Sequence, residues 1–220
     1  METMNAPFKP QLPSIVENLS FPSFVPVRSN LLAAKFDLMK FTPAKRILDD
    51  ALARGIIQRG GHVIESSSGT FALALSILCS LYDLKLTLVT GPVSDIVRWR
   101  LENLGARLHI VEASRNCAGS IQQARLDVLY KLLDQHKESF WPQQYTNPLN
   151  SASYAPIARR ALEIEPRIDV IVGTVGSGGS LFGVAAVLGK ANPKLKVVAV
   201  DHNRSVIFGA NATKITRMCR

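Results

Sequence analysis

The fold is decided by the stretch Val170-Ile-Val-Gly-Thr-Val-Gly-Ser-Gly-Gly-Ser-Leu-Phe-Gly183. Its first residues are β-branched and apolar, which predicts a buried strand. A glycine loop, Gly176-Ser-Gly-Gly-Ser180, follows, and the apolar residues from Leu181 to Leu188 predict a helix packed on a sheet. In such an arrangement, backbone N–H groups and a helix N-terminus surround one anion. We therefore predict a phosphate site in the glycine loop; the alternative is a tight turn that binds nothing.

A second loop, the serine loop Ser66-Ser-Ser-Gly-Thr70, follows another short apolar run and precedes an apolar helical segment that ends near Leu81. Strand and helix patterns alternate from about residue 61 to residue 200. This alternation predicts an α/β protein with open parallel sheets and helices on both faces. Ligands bind such sheets at the carboxyl ends of the strands, so both loops are expected to face one crevice.

A helix is predicted ahead of the serine loop. Thr42 is the expected N-cap, Pro43 the expected first helical residue and Gly55 the expected end. Between them, apolar residues repeat at helical spacing and form one stripe: Ala44, Ile47, Leu48, Ala51 and Leu52.

The composition narrows the classes of function. Apolar residues make up 47% and charged residues 20% of the 220 residues, as in globular proteins. Three cysteines lie far apart without a CxxC pair, and the four histidines show no ligand spacing, so we expect neither a disulfide framework nor a metal site. We find no membrane-spanning run and no secretory signal, and we expect a cytoplasmic protein.

The net charge of +9 raises the question of nucleic acid as a partner. The lysines and arginines are scattered, however, without a basic run or interleaved aromatic residues. An anionic cofactor or substrate explains the charge as well, and we do not expect nucleic-acid binding.

Three segments, in order, resemble those of the cysteine synthase family of pyridoxal-phosphate enzymes, the fold type II group. Glu65-Ser-Ser-Ser-Gly-Thr70 is similar to the family's substrate loop, and Gln143-Gln-Tyr-Thr-Asn-Pro148 to its Gln-Gln-Phe-x-Asn-Pro segment. The glycine loop resembles its phosphate cradle. Arg100-Leu-Glu-Asn-Leu-Gly-Ala106 matches the end of a family helix. The resemblance runs from about Ser14 to the C-terminus.

The resemblance implies pyridoxal 5′-phosphate as the cofactor and a lysine that forms a Schiff base with it and moves the substrate's α-proton. The family's Asn-Pro-x-x-Ser-x-Lys-Asp-Arg motif is altered here, and two candidates remain. Lys40 aligns with the family lysine and lies at a suitable distance from Gly55, so we prefer it. Lys45 is the alternative, and a third interpretation makes both lysines ordinary surface residues.

The resemblance also assigns the remaining site residues. Ser67, Ser68 and Gly69 are expected to bind the substrate carboxylate, and Gln144 to orient the substrate. Thr70 stands where the family often has an asparagine that binds the cofactor's ring oxygen. The cofactor phosphate is assigned to Gly176, Ser177, Gly178, Gly179 and Ser180. The alternative for the serines at 66–68 is a helix cap.

The function implied is β-replacement or β-elimination on a serine-derived amino acid, such as O-acetylserine or O-phosphoserine reacting with sulfide to give cysteine. Family members continue beyond the region that Arg204-Ser-Val-Ile-Phe-Gly209 begins, so we expect a C-terminally truncated chain. The alternative function is therefore an inactive protein that keeps the fold and acts as a binding or scaffold module.

The expected domain organisation follows the family. A smaller mobile subdomain spans residues 40–136, and a larger, incomplete cofactor-binding subdomain combines residues 1–39 and 137–220. The active site is expected in the cleft between them. A small amino-acid substrate is the expected partner, and a homodimer is the assembly we consider.

Overall fold

A computed structural model describes residues 12–112 and 121–201. From His62 onward at least one helix separates each strand from the next, as the sequence predicts. The helices are α1 (Leu12–Ser20), α2 (Phe41–Ala53), α3 (Thr70–Leu81), α4 (Asp95–Asn103), α5 (Ile121–Gln135), α6 (Pro148–Ala152), α7 (Ala155–Ile164) and α8 (Gly179–Ala191). The strands are β1 (Ser23–Arg28), β2 (Leu31–Lys35), β3 (His62–Ser66), β4 (Lys85–Thr90), β5 (Ala106–Ile110), β6 (Val170–Thr174) and β7 (Lys196–Val200).

Strands β3, β4 and β5 form a parallel sheet in that order. Side chains alternate between its two faces because the strand period is two residues. Val63, Leu86 and Leu88 pack with α2 and α3 in the larger core, whereas Ile64 and Val89 pack on the opposite face. There they meet Leu129 and Leu132 of α5. Helices thus cover both faces of this sheet, as the sequence predicts.

Strands β6 and β7 form a second parallel pair, with Val170 opposite Lys196 and Thr174 opposite Val200. The prediction that the strand before the glycine loop is buried is wrong for the described residues. Val172 is 63% exposed, and every residue of β7 is exposed. The reason is that this sheet has only two strands within the described residues, with α8 packed on β6.

Strands β1 and β2 pair antiparallel, with a register shift between Pro26 and Arg28. The short apolar segments Val25-Pro-Val27 and Leu31 to Phe36 predict both strands. The proline fits because a two-stranded pair has edges where no ladder N–H is required.

Helix α2 begins earlier than the sequence predicts. Its N-cap is Lys40, and Phe41 is the first helical residue. Pro43 is the third helical residue, a place in the first turn where no intrahelical N–H bond is lost. The predicted end is confirmed, since Gly55 follows the C-cap with a φ of 67°.

The short helix α6 was not predicted, because its five residues are too few to show a helical period. Asn147 caps it by accepting a hydrogen bond from the Leu149 N–H at 3.0 Å, and Pro148 is its first residue. Helix α6 packs against both α2 and α8. It therefore joins the two parts of the chain that carry Lys40 and the glycine loop.

Some of the predicted features lie outside the described residues, namely Cys117, Cys219, the 204–209 segment and the ends of the larger subdomain. Within the described residues, Cys79 is buried and free. No helix there has both the length and the apolar character needed to cross a membrane.

Two glycines of α8 provide a test of the packing between α6 and α8. A Cβ at Gly183 would overlap the Ser151 carbonyl, whereas a Cβ at Gly189 would meet nothing within 4 Å. Gly183→Ala is expected to lower the free energy of unfolding by about 1–3 kcal/mol, the usual cost of overpacking. Gly189→Ala, in the same helix, is expected to raise it by about 0.5–1 kcal/mol because alanine favours the helix.

Urea denaturation of the two variants and the parent chain measures both effects. Equal changes in the two variants would contradict the close approach of α6 to Gly183.

Candidate active site

Lys40 is held at the N-terminus of α2 by its neighbours. The Tyr154 hydroxyl donates to the Met39 carbonyl at 3.0 Å, and the Phe41 side chain is fully buried. The Lys40 Nζ donates to the Ser177 Oγ at 2.6 Å. The structure thus brings the preferred lysine to the glycine loop across 137 residues of sequence.

The glycine loop joins β6 to α8. Gly178 has a φ of 78° and is the N-cap of the 13-residue α8. The backbone conformation at this position favours glycine, and a Cβ there would also lie 2.7 Å from the Phe182 ring, which would have to move. The first N–H groups of α8 have no intrahelical acceptor, and Ser177 lies two residues before the helix begins. This chemistry suits a phosphate group.

Burial lowers the pKa of the Lys40 amine to about 8. A lowered pKa leaves more free amine near neutral pH, which is the form that attacks a carbonyl carbon. Lys40 therefore combines the right position with suitable reactivity.

The alternative lysine, Lys45, lies elsewhere. Its Nζ makes an ion pair with Asp49 at 2.5 Å. It lines a separate groove, together with Val16 of α1 and Lys35 of β2. The structure therefore separates the two lysines that the sequence left as candidates.

The serine loop begins at a buried carboxyl group. Glu65 is 3% exposed, and its Oε1 accepts from the Ser66 N–H at 2.7 Å and from the Trp141 indole N–H at 3.1 Å. Its Oε2 accepts from the Gln144 N–H at 3.4 Å. Glu65 therefore ties the serine loop to the segment that carries Gln144.

Burial raises the pKa of Glu65 to about 7, against the opposing effect of the hydrogen bonds from Ser66, Trp141 and Gln144. All of these groups donate, and donors stabilise the ionised carboxylate. Removal from water disfavours the charge more strongly, so the net direction is upward.

The other expected residues of the serine loop differ in burial. Ser67 is buried, Ser68 and Gly69 are partly buried, and Thr70 is exposed as the first residue of α3. Gly69 is the N-cap of α3, and no side-chain hydrogen bond caps this helix. The alternative of a serine cap thus has no support among the described residues.

Arg125 is a site residue that the sequence reasoning missed. It is buried in α5, and its Nη2 donates to the Ser66 Oγ at 3.0 Å and to the Val89 carbonyl at 3.4 Å. Its Nε is buried without a hydrogen-bond partner within the described residues. A signal was present, since Arg125 shares the buried stripe of α5 with Leu129 and Leu132.

Asn150 is a second residue that was missed. It is 5% exposed, and its Nδ2 donates to the Gln144 carbonyl and, at 3.1 Å, to the Ser177 Oγ. A hydrogen-bonded path therefore runs from Glu65 through the Gln144 backbone and Asn150 to Ser177 and Lys40. In the sequence, the only indication of this path is the second asparagine of Asn147-Pro-Leu-Asn150.

The described residues contain no group of three or more histidine, cysteine, aspartate or glutamate side chains that could hold a metal ion.

A family model described as "Pyridoxal-phosphate dependent enzyme" matches residues 39–218. N-(2-amino-2-carboxyethyl)-L-glutamate synthase of Cupriavidus metallidurans is 36% identical over 174 residues, which are 78% of this chain and 51% of that protein. The chain thus spans about half the length of this curated relative. These matches confirm the family resemblance and pyridoxal phosphate as the cofactor of the family.

Two solved structures share the fold. O-acetylserine sulfhydrylase isoform 3 of Entamoeba histolytica gives a TM-score of 0.78 at 23% identity, covering 96% of this chain and 67% of that one. A hydrogen sulfide-producing enzyme of Fusobacterium nucleatum gives 0.78 at 22% identity, covering 92% and 70%. They confirm the predicted fold type II class.

The buried Glu65 makes stability depend on pH. In the unfolded chain its pKa is near 4.5, and in the folded chain it is about 7. Its favourable contribution is therefore complete below pH 4.5 and is lost as the pH rises through 7. Relative to Glu65→Gln, the parent chain is expected to lose on the order of 3 kcal/mol of unfolding free energy across this range.

Urea denaturation of both proteins at several pH values between 4.5 and 8 measures the difference. Trp141→Phe removes a donor to the carboxylate and is expected to move the loss to higher pH. A difference between parent and Glu65→Gln that stays constant with pH would refute the assignment.

Proposed function

Because the chain belongs to the family of pyridoxal-phosphate dependent enzymes, we propose that it serves β-replacement or β-elimination on a serine-derived amino acid. The observation that carries this proposal is the position of the Lys40 amine, 2.6 Å from the Ser177 hydroxyl of the glycine loop. When bound, the cofactor supplies an aldehyde carbon for a lysine amine and a ring that withdraws electrons.

Lys40 is the proposed catalytic residue. Its free amine would hold the cofactor covalently, and the same nitrogen would accept the substrate's α-proton. Its lowered pKa supports both roles. Lys45 is unsuited to them because its amine is paired with Asp49.

The glycine loop is the proposed phosphate cradle. Gly176, Ser177, Gly178, Gly179 and Ser180 would hold the phosphate through backbone N–H groups and two hydroxyls. The N-terminus of α8 adds a favourable dipole.

The serine loop is the proposed site of the substrate carboxylate. Ser67, Ser68 and Gly69 would hold it, with Gln144 beside it. The path from Glu65 to the Gln144 backbone supports this arrangement, because it fixes the serine loop relative to Gln144. Thr70, which is exposed, stays a proposed contact of the cofactor's ring oxygen.

The position of Arg125 favours a substrate with an anionic leaving group. The buried Arg125 guanidinium, whose Nε has no hydrogen-bond partner among the described residues, donates to Ser66 and puts positive charge beside the proposed substrate loop. Departing phosphate carries more negative charge than acetate and gains more from this field. We therefore favour O-phosphoserine over O-acetylserine as the substrate.

Two nucleophiles are compatible with the proposal. Sulfide would give cysteine. The name of the Cupriavidus relative describes an aminocarboxyethyl group on the nitrogen of glutamate, which favours an amine as the second candidate.

The wider organisation of the molecule belongs to the same proposal. The subdomain of residues 40–136 would move against the rest of the chain to close the site, in a cytoplasmic homodimer.

The lysine assignment has a direct test in two matched variants. The parent chain mixed with pyridoxal phosphate is expected to turn yellow and to retain the cofactor covalently after borohydride reduction. Lys40→Ala is expected to lose both properties, whereas Lys45→Ala keeps them. Absorbance spectra and mass spectrometry give the readout.

The rate of colour formation is expected to rise with pH around a midpoint near 8, because the free amine is the reacting form. A colourless protein in all three cases would overturn the enzyme proposal and favour the scaffold alternative. Loss of colour in Lys45→Ala alone would reverse the lysine assignment.

The leaving-group proposal predicts a change in substrate discrimination. Arg125→Gln is expected to lower kcat/KM for O-phosphoserine by about 10-fold or more, the value of a charge-assisted hydrogen bond, with a smaller effect on O-acetylserine. Steady-state assays with sulfide measure both. Equal losses on the two substrates would mean that Arg125 only supports the serine loop.

A further inference from the structure

We propose that Asn150 is a positioning residue that holds the Ser177 hydroxyl ready to donate to a phosphate group in the glycine loop. The inference rests on the proposed function, since the phosphate belongs to the cofactor. It comes from the place of one buried amide between two segments of the site.

The amide group of Asn150 uses both of its protons. One hydrogen bond goes to the Gln144 carbonyl and the other to the Ser177 Oγ, at 3.1 Å. Asn150 is carried by α6, which packs against α8, the helix that the glycine loop opens. The side chain therefore fixes Ser177 relative to the segment that contains Gln144.

The Ser177 oxygen receives two hydrogen bonds, from Lys40 Nζ at 2.6 Å and from Asn150 Nδ2. A hydroxyl oxygen has two lone pairs and one proton. With both lone pairs engaged, the Ser177 proton points to neither donor. It is left to donate towards an acceptor at the start of α8, where a phosphate oxygen would lie.

Burial of the Asn150 amide costs free energy, and packing alone does not explain why an amide is present at this position. Asn150 Oδ1 is buried and has no hydrogen-bond partner within the described residues. An unpaired buried acceptor costs free energy that a small apolar side chain would avoid. The same side chain touches Gly179, where any Cβ would overlap the Asn150 amide. Glycine at position 179 thus leaves space for the Asn150 amide. The benefit of this amide is its hydrogen bond to Ser177.

The two hydrogen bonds that Ser177 receives, from Asn150 and from Lys40, depend on different parts of the molecule. The lysine amine has a catalytic role of its own, whereas Asn150 is fixed by α6. Asn150 is therefore the donor that keeps the Ser177 hydroxyl oriented independently of the lysine side chain.

The test is a double-mutant cycle on cofactor affinity. Equilibrium dialysis gives the Kd of the full chain for pyridoxal phosphate and for pyridoxal, which lacks the phosphate. Asn150→Ala is expected to raise the Kd for pyridoxal phosphate by about 10-fold, within the range for hydrogen bonds to charged groups, and to leave that for pyridoxal unchanged. In the Ser177→Ala background, the same substitution is expected to change the Kd less than about 2-fold, because its target is gone.

Ser153→Ala is the matched control. The Ser153 hydroxyl is buried and donates to the Asn150 backbone carbonyl at 2.7 Å, so its loss disturbs α6 without removing the amide from Ser177. It is expected to change the Kd less than about 2-fold, as a lost neutral hydrogen bond away from the ligand should. Circular dichroism checks folding, and Asn150→Ser replaces Asn150→Ala if the latter does not fold.

An unchanged Kd in Asn150→Ala, an equal loss for pyridoxal, or a full effect without Ser177 would each overturn the positioning role. The proposed function has a separate outcome. If the Asn150 and Ser177 substitutions are coupled in pyridoxal phosphate binding but no serine derivative is turned over, the proposed function is overturned and the positioning role of Asn150 is supported. A parent chain that binds no pyridoxal phosphate would overturn both.

Discussion

The hydrogen bond between Lys40 Nζ and Ser177 Oγ is the contact on which the candidate site depends. It joins the start of α2, which belongs to the core around β3, β4 and β5, to the loop between β6 and α8. The two sheets do not pair with each other, so the site between them is assembled from helices and loops. Helix α6 makes this possible, because it packs on α2 and α8 at once.

Buried polar groups at the site are satisfied mainly through the backbone. Glu65 accepts from two backbone N–H groups, and Asn150 donates to a backbone carbonyl. Backbone partners cannot change rotamer, so such bonds fix loops more firmly than contacts between side chains do. Two buried atoms of the candidate site, Arg125 Nε and Asn150 Oδ1, have no hydrogen-bond partner within the part of the chain that the structure describes. Functional sites commonly keep such groups at a cost in stability.

Much of the fold follows from local patterns. The period of the apolar residues gave the strands and helices, and Gly55 and the glycine loop marked their ends. The exposure of Val172 could not be predicted in this way, because an apolar strand pattern carries no information on how many strands surround it. Arg125 and Asn150 were missed because their importance lies in contacts with residues far along the chain.

The choice between Lys40 and Lys45 likewise could not be made from local sequence patterns. Both lysines lie near the start of one helix, and both fit the altered motif. Successive helical residues turn by about 100°, so positions five apart point about 140° away from each other. Only one of them can face the glycine loop, and which one does depends on where the helix begins. A helix that began at Thr42 or Pro43, as the sequence predicts, leaves the orientation of Lys40 undefined. With Lys40 as the N-cap, its backbone is held between Met39, whose carbonyl accepts from Tyr154, and the buried Phe41, and its amine donates to Ser177.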